Sequence, residues 1–384
     1  MTSVDGRVDV LDLAMTFGCG LFGHGAAREV LARVTHPGAD QTGAPAAEGI
    51  AAPGLGDLSS HALRAEACAA LCAWAAPVWG AGDVPAHELS ALVLHSGSEA
   101  VETALKTCIR ATGRDGLVAF QGAYHGTFGL ALAVTHGAHF RESFTAQYAD
   151  TVRFEPYGVV PELDQSVACV IVEPVQGRAG VVTPPAGFLA GLRAECTRVG
   201  AQLVLDDVLV GCGRLRDPLP GADAAPDVIC LGKALGSGVA ASAVVARAAL
   251  AAQAWAEGEA EPRHTSTLIG DPVAAAGTLQ TLRFLAMTDL AGPGELWRAT
   301  LAAAAEELDV QVRGAGLLWA VESREATPGS GVRLADAMLA QGVLTVPSGP
   351  EGRSITIYPS LVHDDLDAQT FRRALAGALR DTGL

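Results

Sequence analysis

The chain has 384 residues, 49% of them apolar, and a formal net charge of −16. This length can bury the core of one large domain or of two moderate ones. The acidic balance without a basic cluster argues against nucleic acid or an anionic membrane as the main partner, so small-molecule substrates are expected. No apolar stretch approaches the roughly 18 residues of a membrane span, and residues 1–12 lack a signal-peptide pattern, so a cytoplasmic location is expected.

Five short apolar runs predict buried strands of a mostly parallel sheet, because each ends in polar or glycine-rich residues. In chain order these runs cover residues 91–98, 117–126, 167–177, 201–207 and 227–233. Residues 98–113 predict a helix that Gly113 can end, with a capping box of Ser96 and Glu99 at its start. Ligands bind at the carboxyl ends of strands in open α/β sheets, so one pocket is expected to hold the polar residues there.

The pattern changes after about residue 275. Long alanine-rich helical stretches follow, with a predicted strand at 314–321 and a late apolar run at 354–362. These elements predict a second, smaller domain. The eight cysteines are scattered, and only Cys68 and Cys72 share one helix face, which predicts core packing with neither a disulfide nor a structural metal.

Lysine is rare in this chain, which makes each lysine informative. Of the 26 lysine and arginine residues, only Lys106 and Lys233 are lysines. Lys106 lies one helical turn after Glu102, a pattern typical of a surface ion pair. Lys233 follows an apolar run and precedes a glycine-rich segment, so its amine is expected at a strand end and partly desolvated. Burial lowers the pKa of a lysine and makes the amine a nucleophile for Schiff-base chemistry.

Other predicted strand ends carry residues that fit the same chemistry. Asp206 and Asp207 end one apolar run. An aspartate there can keep a pyridine nitrogen protonated, which makes pyridoxal phosphate an electron sink. The alternative is that the two aspartates cap the next segment. Gly97 and Ser98 open a helix, where free amides and the helix dipole favour a phosphate.

An aromatic turn follows the second predicted strand. Tyr124 and His125 are suited there to stacking on a flat ring, although ordinary packing is the alternative.

Together these stretches resemble the class III aminotransferases, pyridoxal phosphate enzymes of fold type I such as ornithine aminotransferase. The resemblance implies a large domain at 45–270 with a mostly parallel, seven-stranded type of sheet, and a smaller α+β domain from 1–44 and 271–384. The motifs that carry it are, in fixed order, LDLAMTFGCGLFGHGA, HSGSEAVETALK, GAYHG, VEPVQG, LDDVLVGCGR, PDVICLGKALGSG, HTSTLIGDP and ITIYPSLVHDDLD.

The resemblance also implies roles for matched positions. Lys233 would form the internal aldimine and Asp206 would contact the pyridine nitrogen, both as catalytic residues. The other implied cofactor-binding residues are Gly97, Ser98, Tyr124, His125, Glu173, Val208, Ser266 and Thr267.

Several of these implied roles are specific. Tyr124 would stack on one face of the cofactor ring and Val208 would press on the other. Thr267 would reach the phosphate of the neighbouring subunit, which implies a homodimer with shared active sites. Glu173 and Gln176 would shape the pocket wall, Gln176 on the substrate side.

The chain departs from the family pattern beside the cofactor. Leu209 stands where the family usually has a Gln near the phenolic oxygen, and Ile269 and Asp271 replace a usual Gly and Asn. A leucine cannot supply the hydrogen bond of that Gln.

Charged positions differ as well. Thr127 and Thr356 stand where ornithine aminotransferase has arginines, and Arg178 stands where it has a glutamate. We therefore hypothesise that Arg178 binds a substrate anion, since guanidinium binds carboxylate in a bidentate fashion. The alternative is a surface arginine paired with a nearby acid.

The leading interpretation is a pyridoxal phosphate aminotransferase that moves an amino group from an amino acid or amine to an oxo acid. The alternative on the same fold is a racemase or epimerase, aminomutase, decarboxylase or carbon–carbon bond-forming enzyme. Residues 211–216 also resemble a nucleotide-binding glycine turn of a dehydrogenase, but that interpretation leaves Lys233 unexplained. A non-catalytic protein on this fold is disfavoured by retention of Lys233 and Asp206.

Overall fold

A seven-stranded sheet, with helices packed against it, organises the fold. The computed structural model describes residues 10–35, 61–81, 84–147, 152–215, 220–255 and 263–384. The described strands are β1 (Leu11–Asp12), β2 (Leu89–Leu94), β3 (Gly116–Phe120), β4 (Val152–Glu155), β5 (Val167–Val172), β6 (Gln202–Asp206), β7 (Val228–Leu231), β8 (Ser242–Arg247), β9 (Val310–Ala315), β10 (Leu318–Ser323), β11 (Val343–Leu344), β12 (Val346–Ser348) and β13 (Ser354–Ile357).

The large sheet has the order β2-β8-β7-β6-β5-β3-β4, and only β8 runs antiparallel to its neighbours. All five predicted strands belong to this sheet, so the prediction of a mostly parallel sheet is confirmed. Strands β4 and β8 were not predicted. β8 lies in an alanine-rich stretch whose short side chains give no strand-like alternation.

The helices are α1 (Met15–Gly18), α2 (Ala26–Thr35), α3 (Ala62–Ala75), α4 (Gly97–Thr112), α5 (Gly129–Ala133), α6 (Ala138–Arg141), α7 (Phe188–Val199), α8 (Ala248–Ala254), α9 (Pro272–Met287), α10 (Ala291–Glu307), α11 (Ser330–Ala340) and α12 (Asp365–Thr382). Across the described ranges, no helix combines the length and apolar character needed to span a membrane. All eight cysteines are free thiols.

The predicted helix at 98–113 is α4, and one detail of its start differs from the prediction. Ser96 Oγ accepts a hydrogen bond from the Glu99 amide, as expected of a cap. The Glu99 carboxylate, however, accepts from the amide of His95 at 3.0 Å and not from that of Ser96. At the other end Gly113 adopts a left-handed φ of 67° and ends the helix as predicted.

The C-terminal part forms a second sheet in the order β12-β13-β10-β9, all antiparallel. The single strand predicted at 314–321 is wrong, because the chain reverses at Gly316, where φ is 54°, and makes the hairpin of β9 and β10. A side chain at Gly316 would lie 2.6 Å from the carbonyl oxygen of Arg214.

The N-terminal segment joins the C-terminal part through the parallel pairing of β1 with β11. This pairing supports a small domain made from both ends of the chain. The boundary predicted at 44/45 lies outside the described residues. One contiguous group of buried side chains includes residues of both sheets, such as Val170 and Val321, so the two-domain division stays a prediction.

A fully buried arginine connects the two parts of the protein. Arg214 Nη2 donates to the carbonyl of Gly18 at 2.6 Å, and Nη1 donates to those of Leu317 at 2.9 Å and Pro359 at 3.2 Å. Burial lowers the pKa of Arg214 to about 10, and the nearby Tyr358 acts in the opposite direction. The guanidinium thus binds carbonyl oxygens from the N-terminal segment, the β9–β10 turn and the segment after β13.

We expect Arg214→Met to lower the free energy of unfolding by about 3 kcal/mol, because buried carbonyl groups would lose their donors. Chemical or thermal unfolding measures this loss. The control is Arg298→Met on α10, whose exposed guanidinium bonds to the exposed Glu295 and whose loss should matter little. Equal stability of the two variants would contradict the assignment.

Candidate active site

A cavity of about 190 Å³ lies at the carboxyl ends of the central strands. Several of the polar residues predicted to share one pocket after these strands line this cavity. The lining residues are Gly97, Ser98, Tyr124, His125, Gly126, Glu173, Arg178, Asp206, Val208, Leu209 and Lys233.

Lys233 enters this cavity directly after β7. It begins a single 3₁₀ turn, Lys233–Gly236, and its φ of 46° is rare for a residue with a side chain. Burial lowers the pKa of its amine, while the charges of Asp206, Cys19 and Glu173 act in the opposite direction. Within the described part of the chain, no carboxylate forms an ion pair with this amine, so it faces the cavity as a potential nucleophile.

Asp206, the last residue of β6, is held by two contacts at the floor of the cavity. Its Oδ2 lies 2.7 Å from Nδ1 of His125, and its Oδ1 accepts from the amide of Val208 at 3.1 Å. Burial lowers the pKa of His125, but the hydrogen bond and charge of Asp206, with the charge of Glu173, outweigh burial and raise it. His125 is thus directed at Asp206 and is not a second stacking ring beside Tyr124.

Glu173, which follows β5, is a third buried acid–base group of the cavity. Its carboxylate accepts a hydrogen bond from the amide of Tyr124 at 3.2 Å. Burial is the largest cause that raises its pKa from 4.5 to about 7, with the charge of Asp206 adding to it; His125, the Tyr124 amide and Lys233 oppose the rise. The carboxyl group therefore holds its proton up to near-neutral pH.

The start of α4 forms the end of the cavity suited to a phosphate. The first amides of a helix have no acceptor within the helix, and Gly97 and Ser98 occupy these positions. A side chain at Gly97 would lie 2.7 Å from Val208, and one at Gly126 would collide with Ser98. Glycine at both positions keeps the amides open and lets Val208 reach the cavity.

Arg178 lines the cavity beside two aromatic rings that contact each other. Its guanidinium carbon is 5.6 Å from the ring centroids of both Tyr124 and Phe140. The amide of Gly349, from the second sheet, donates to the Arg178 carbonyl at 3.0 Å. Across the ranges the structure describes, no acid pairs with this guanidinium. The structure therefore does not support the alternative of a surface arginine paired with a nearby acid.

Three predicted site residues lie outside this lining. The amide of Gln176 donates to the carbonyl of Gln121 at 3.0 Å, and this side chain is not among those that line the cavity, so its role on the substrate side stays a prediction. Ser266 and Thr267 lie in a turn before α9, with Thr267 exposed. Sequence reasoning missed Phe140, because its contact with Arg178 is not visible in any local pattern.

Solved structures with the same architecture support the fold assignment. An ornithine aminotransferase of Toxoplasma gondii superposes with a TM-score of 0.82 over 100% of this chain and 87% of that one, at 22% identity. An amine transaminase from an uncultivated Pseudomonas species gives 0.81 over 100% and 93%, at 24% identity. The expected fold type I α/β architecture is thereby confirmed.

Sequence comparison defines the family. The Aminotransferase class-III family matches residues 59–379, so the chain belongs to this family, as the motifs predicted. An acetylornithine aminotransferase of Mycobacterium leprae is 35% identical over 300 residues, which are 74% of this chain and 70% of that protein. One of Methanopyrus kandleri is 38% identical over 240 residues, and the chain spans only 59% of its length.

The residues that line the cavity fit pyridoxal 5′-phosphate, the cofactor that the sequence motifs imply. An accessible lysine amine, a buried carboxylate and open helix amides line one space. They complement an aldehyde, a pyridine nitrogen and a phosphate, respectively.

The raised pKa of Glu173 predicts how stability depends on pH. The folded state holds this proton until about pH 7, whereas the unfolded chain releases it near 4.5, so folding binds a proton between these values. Stability from this group is therefore present below pH 4.5 and is lost as pH rises through 7. Relative to Glu173→Gln, the cofactor-free wild type should lose about 3 kcal/mol between pH 4.5 and 8.

Unfolding curves of both proteins across this pH range measure the difference. A constant offset between wild type and Glu173→Gln at every pH would contradict the raised pKa.

Proposed function

We propose that the protein is an aminotransferase that moves an amino group from an amino acid or amine to an oxo acid with pyridoxal 5′-phosphate. The observation that carries the proposal is the placement of Lys233, with its lowered pKa, in one cavity with the buried pair of Asp206 and His125. Relatives named acetylornithine aminotransferases support it.

Different residues of the cavity would hold different parts of the cofactor. Lys233 would bind its aldehyde, Asp206 its pyridine nitrogen, and Gly97 and Ser98 its phosphate. When bound, the cofactor supplies an electron-withdrawing ring that stabilises negative charge beside the amino nitrogen of the substrate. Asp206 is suited to the ring nitrogen because a carboxylate favours the protonated form.

The side walls and the proton transfer complete the assignment. Tyr124 and Val208 would enclose the ring from two sides, and Glu173 and His125 would support Asp206 from below. Lys233, once released, would accept the proton of the amino-bearing carbon of the substrate and deliver it to the cofactor carbon that had carried the aldehyde. A lysine with a lowered pKa is suited to both steps, since its neutral, proton-accepting form is more populated than that of an ordinary lysine.

The proposal includes a homodimer and a cytoplasmic location. Ser266 and Thr267 lie outside the cavity of their own chain, and Thr267 is exposed, which supports their use in the site of a second copy. We assign the phosphate contact across the subunits to these two residues.

The test is a half-reaction of the loaded enzyme with donor amino acids or amines and no oxo acid. We expect the visible absorbance of the lysine-bound cofactor to disappear while an equal amount of oxo acid or aldehyde forms. Lys233→Ala should show neither change. A spectral change without a carbonyl product would contradict transamination and favour the racemase, aminomutase, decarboxylase or bond-forming alternative.

Arg178 is proposed to bind the substrate carboxylate. Arg178→Ala should raise KM for an amino acid donor about 30-fold, as expected for the loss of a charged hydrogen-bonding partner, and should leave KM for an amine without carboxylate nearly unchanged. Steady-state kinetics with matched donors measures this. An unchanged KM for both donors, as expected of the control Arg298→Ala, would exclude the role.

A further inference from the structure

A histidine–aspartate pair lies beside the start of α4, outside the cavity lining. His95, between β2 and the Ser96 cap, places Nε2 at 2.7 Å from Oδ2 of Asp271. Their side chains are only 29% and 20% exposed. The His95 amide also donates to Glu99 at 3.0 Å, and its Nδ1 lies 3.6 Å from the same carboxylate. His95 is thus fixed from both sides.

Asp271 uses its two carboxylate oxygens for different purposes. Oδ1 caps α9 by accepting from the amides of Val273 at 2.8 Å and Ala274 at 3.3 Å. Oδ2 contacts His95. Capping requires only one of the two oxygens, so the contact with His95 can be removed while a cap is kept.

The turn before α9 is attached at one end to α4 and at the other to His95, which precedes the cap of α4. On one side Nε2 of His264 lies 2.8 Å from Oγ1 of Thr103, which is on α4. On the other side Asp271 contacts His95 and also donates its amide to the Leu268 carbonyl at 3.1 Å. The exposed Thr267 lies between these attachments, so its position depends on them.

We infer that His95 and Asp271 are positioning residues for cofactor phosphate, because their contact fixes the start of α4 relative to the turn that carries Ser266 and Thr267. The inference rests on the proposed function, in which the start of α4 binds the phosphate of its own site and the turn before α9 binds the phosphate in the site of the partner subunit. One contact then aligns phosphate-binding elements of two sites. Asp271 stands where the family usually has Asn, so this carboxylate distinguishes the chain.

The test compares the binding of pyridoxal 5′-phosphate with that of pyridoxal, which lacks the phosphate. The variants are His95→Ala, Asp271→Ser and the double variant in the full-length protein, and Ser keeps a good cap for α9. Each variant should bind pyridoxal 5′-phosphate about tenfold more weakly, which corresponds to roughly one lost phosphate hydrogen bond. Pyridoxal binding should not change. The double variant should lose no more than either single one, since both remove one contact.

Absorbance of the lysine-bound cofactor measures binding of both probes without any substrate. The matched control is Asp364→Ser at the cap of α12, which should affect neither probe. Equal weakening of both probes would show a general structural effect and overturn the inference, as would unchanged binding or additive losses in the double variant. A wild-type protein that bound neither probe through Lys233 would instead contradict the proposed function.

Discussion

The hydrogen bond between His125 and Asp206 is the interaction on which the rest of the cavity depends. A carboxylate buried to this degree is costly unless a partner stabilises its charge, and the imidazole, itself buried, supplies that partner at 2.7 Å. A second negative charge nearby would add to the cost, and Glu173 avoids it by holding its proton up to about pH 7. Lys233 contributes opposite charge to both acids while burial keeps its own pKa low. The protonation of His125, Glu173 and Lys233 therefore depends on the charge of Asp206.

The backbone brings these groups together through tight local geometry at several strand ends. Val208 reaches the cavity because Gly97 and Gly232 have no side chains, and a methyl group there would lie 2.7 Å and 3.1 Å, respectively, from it. Lys233 takes a left-handed φ immediately after β7, a conformation that the surrounding sheet must hold in place. Such strain at the residue with the reactive amine is typical of a preorganised site.

Much of this site could be predicted from the sequence, because the carboxyl ends of parallel strands share one edge and their residues converge there. Lys233 and Asp206 were found in this way. The role of His125 could not be predicted, because its partner Asp206 is 81 residues away in the chain and no local sequence pattern indicates that contact. The hairpin after Val310 was missed because a glycine inside an apolar run does not reveal whether the chain reverses. Gln176 matched a motif, yet its amide is occupied by a backbone carbonyl.

Arg214 and Arg178 show that the surroundings of an arginine determine what its positive charge does. Arg214 is fully buried, and carbonyl oxygens from three segments accept hydrogen bonds from its two terminal nitrogens, so it stabilises the fold. Arg178 lies beside two adjoining aromatic rings, which orient the guanidinium without neutralising it. Its charge is directed at the same space as the Lys233 amine. Under the proposed function, a donor that brings a carboxylate near Arg178 and an amino group near Lys233 would satisfy both, as an amino acid can and a simple amine cannot.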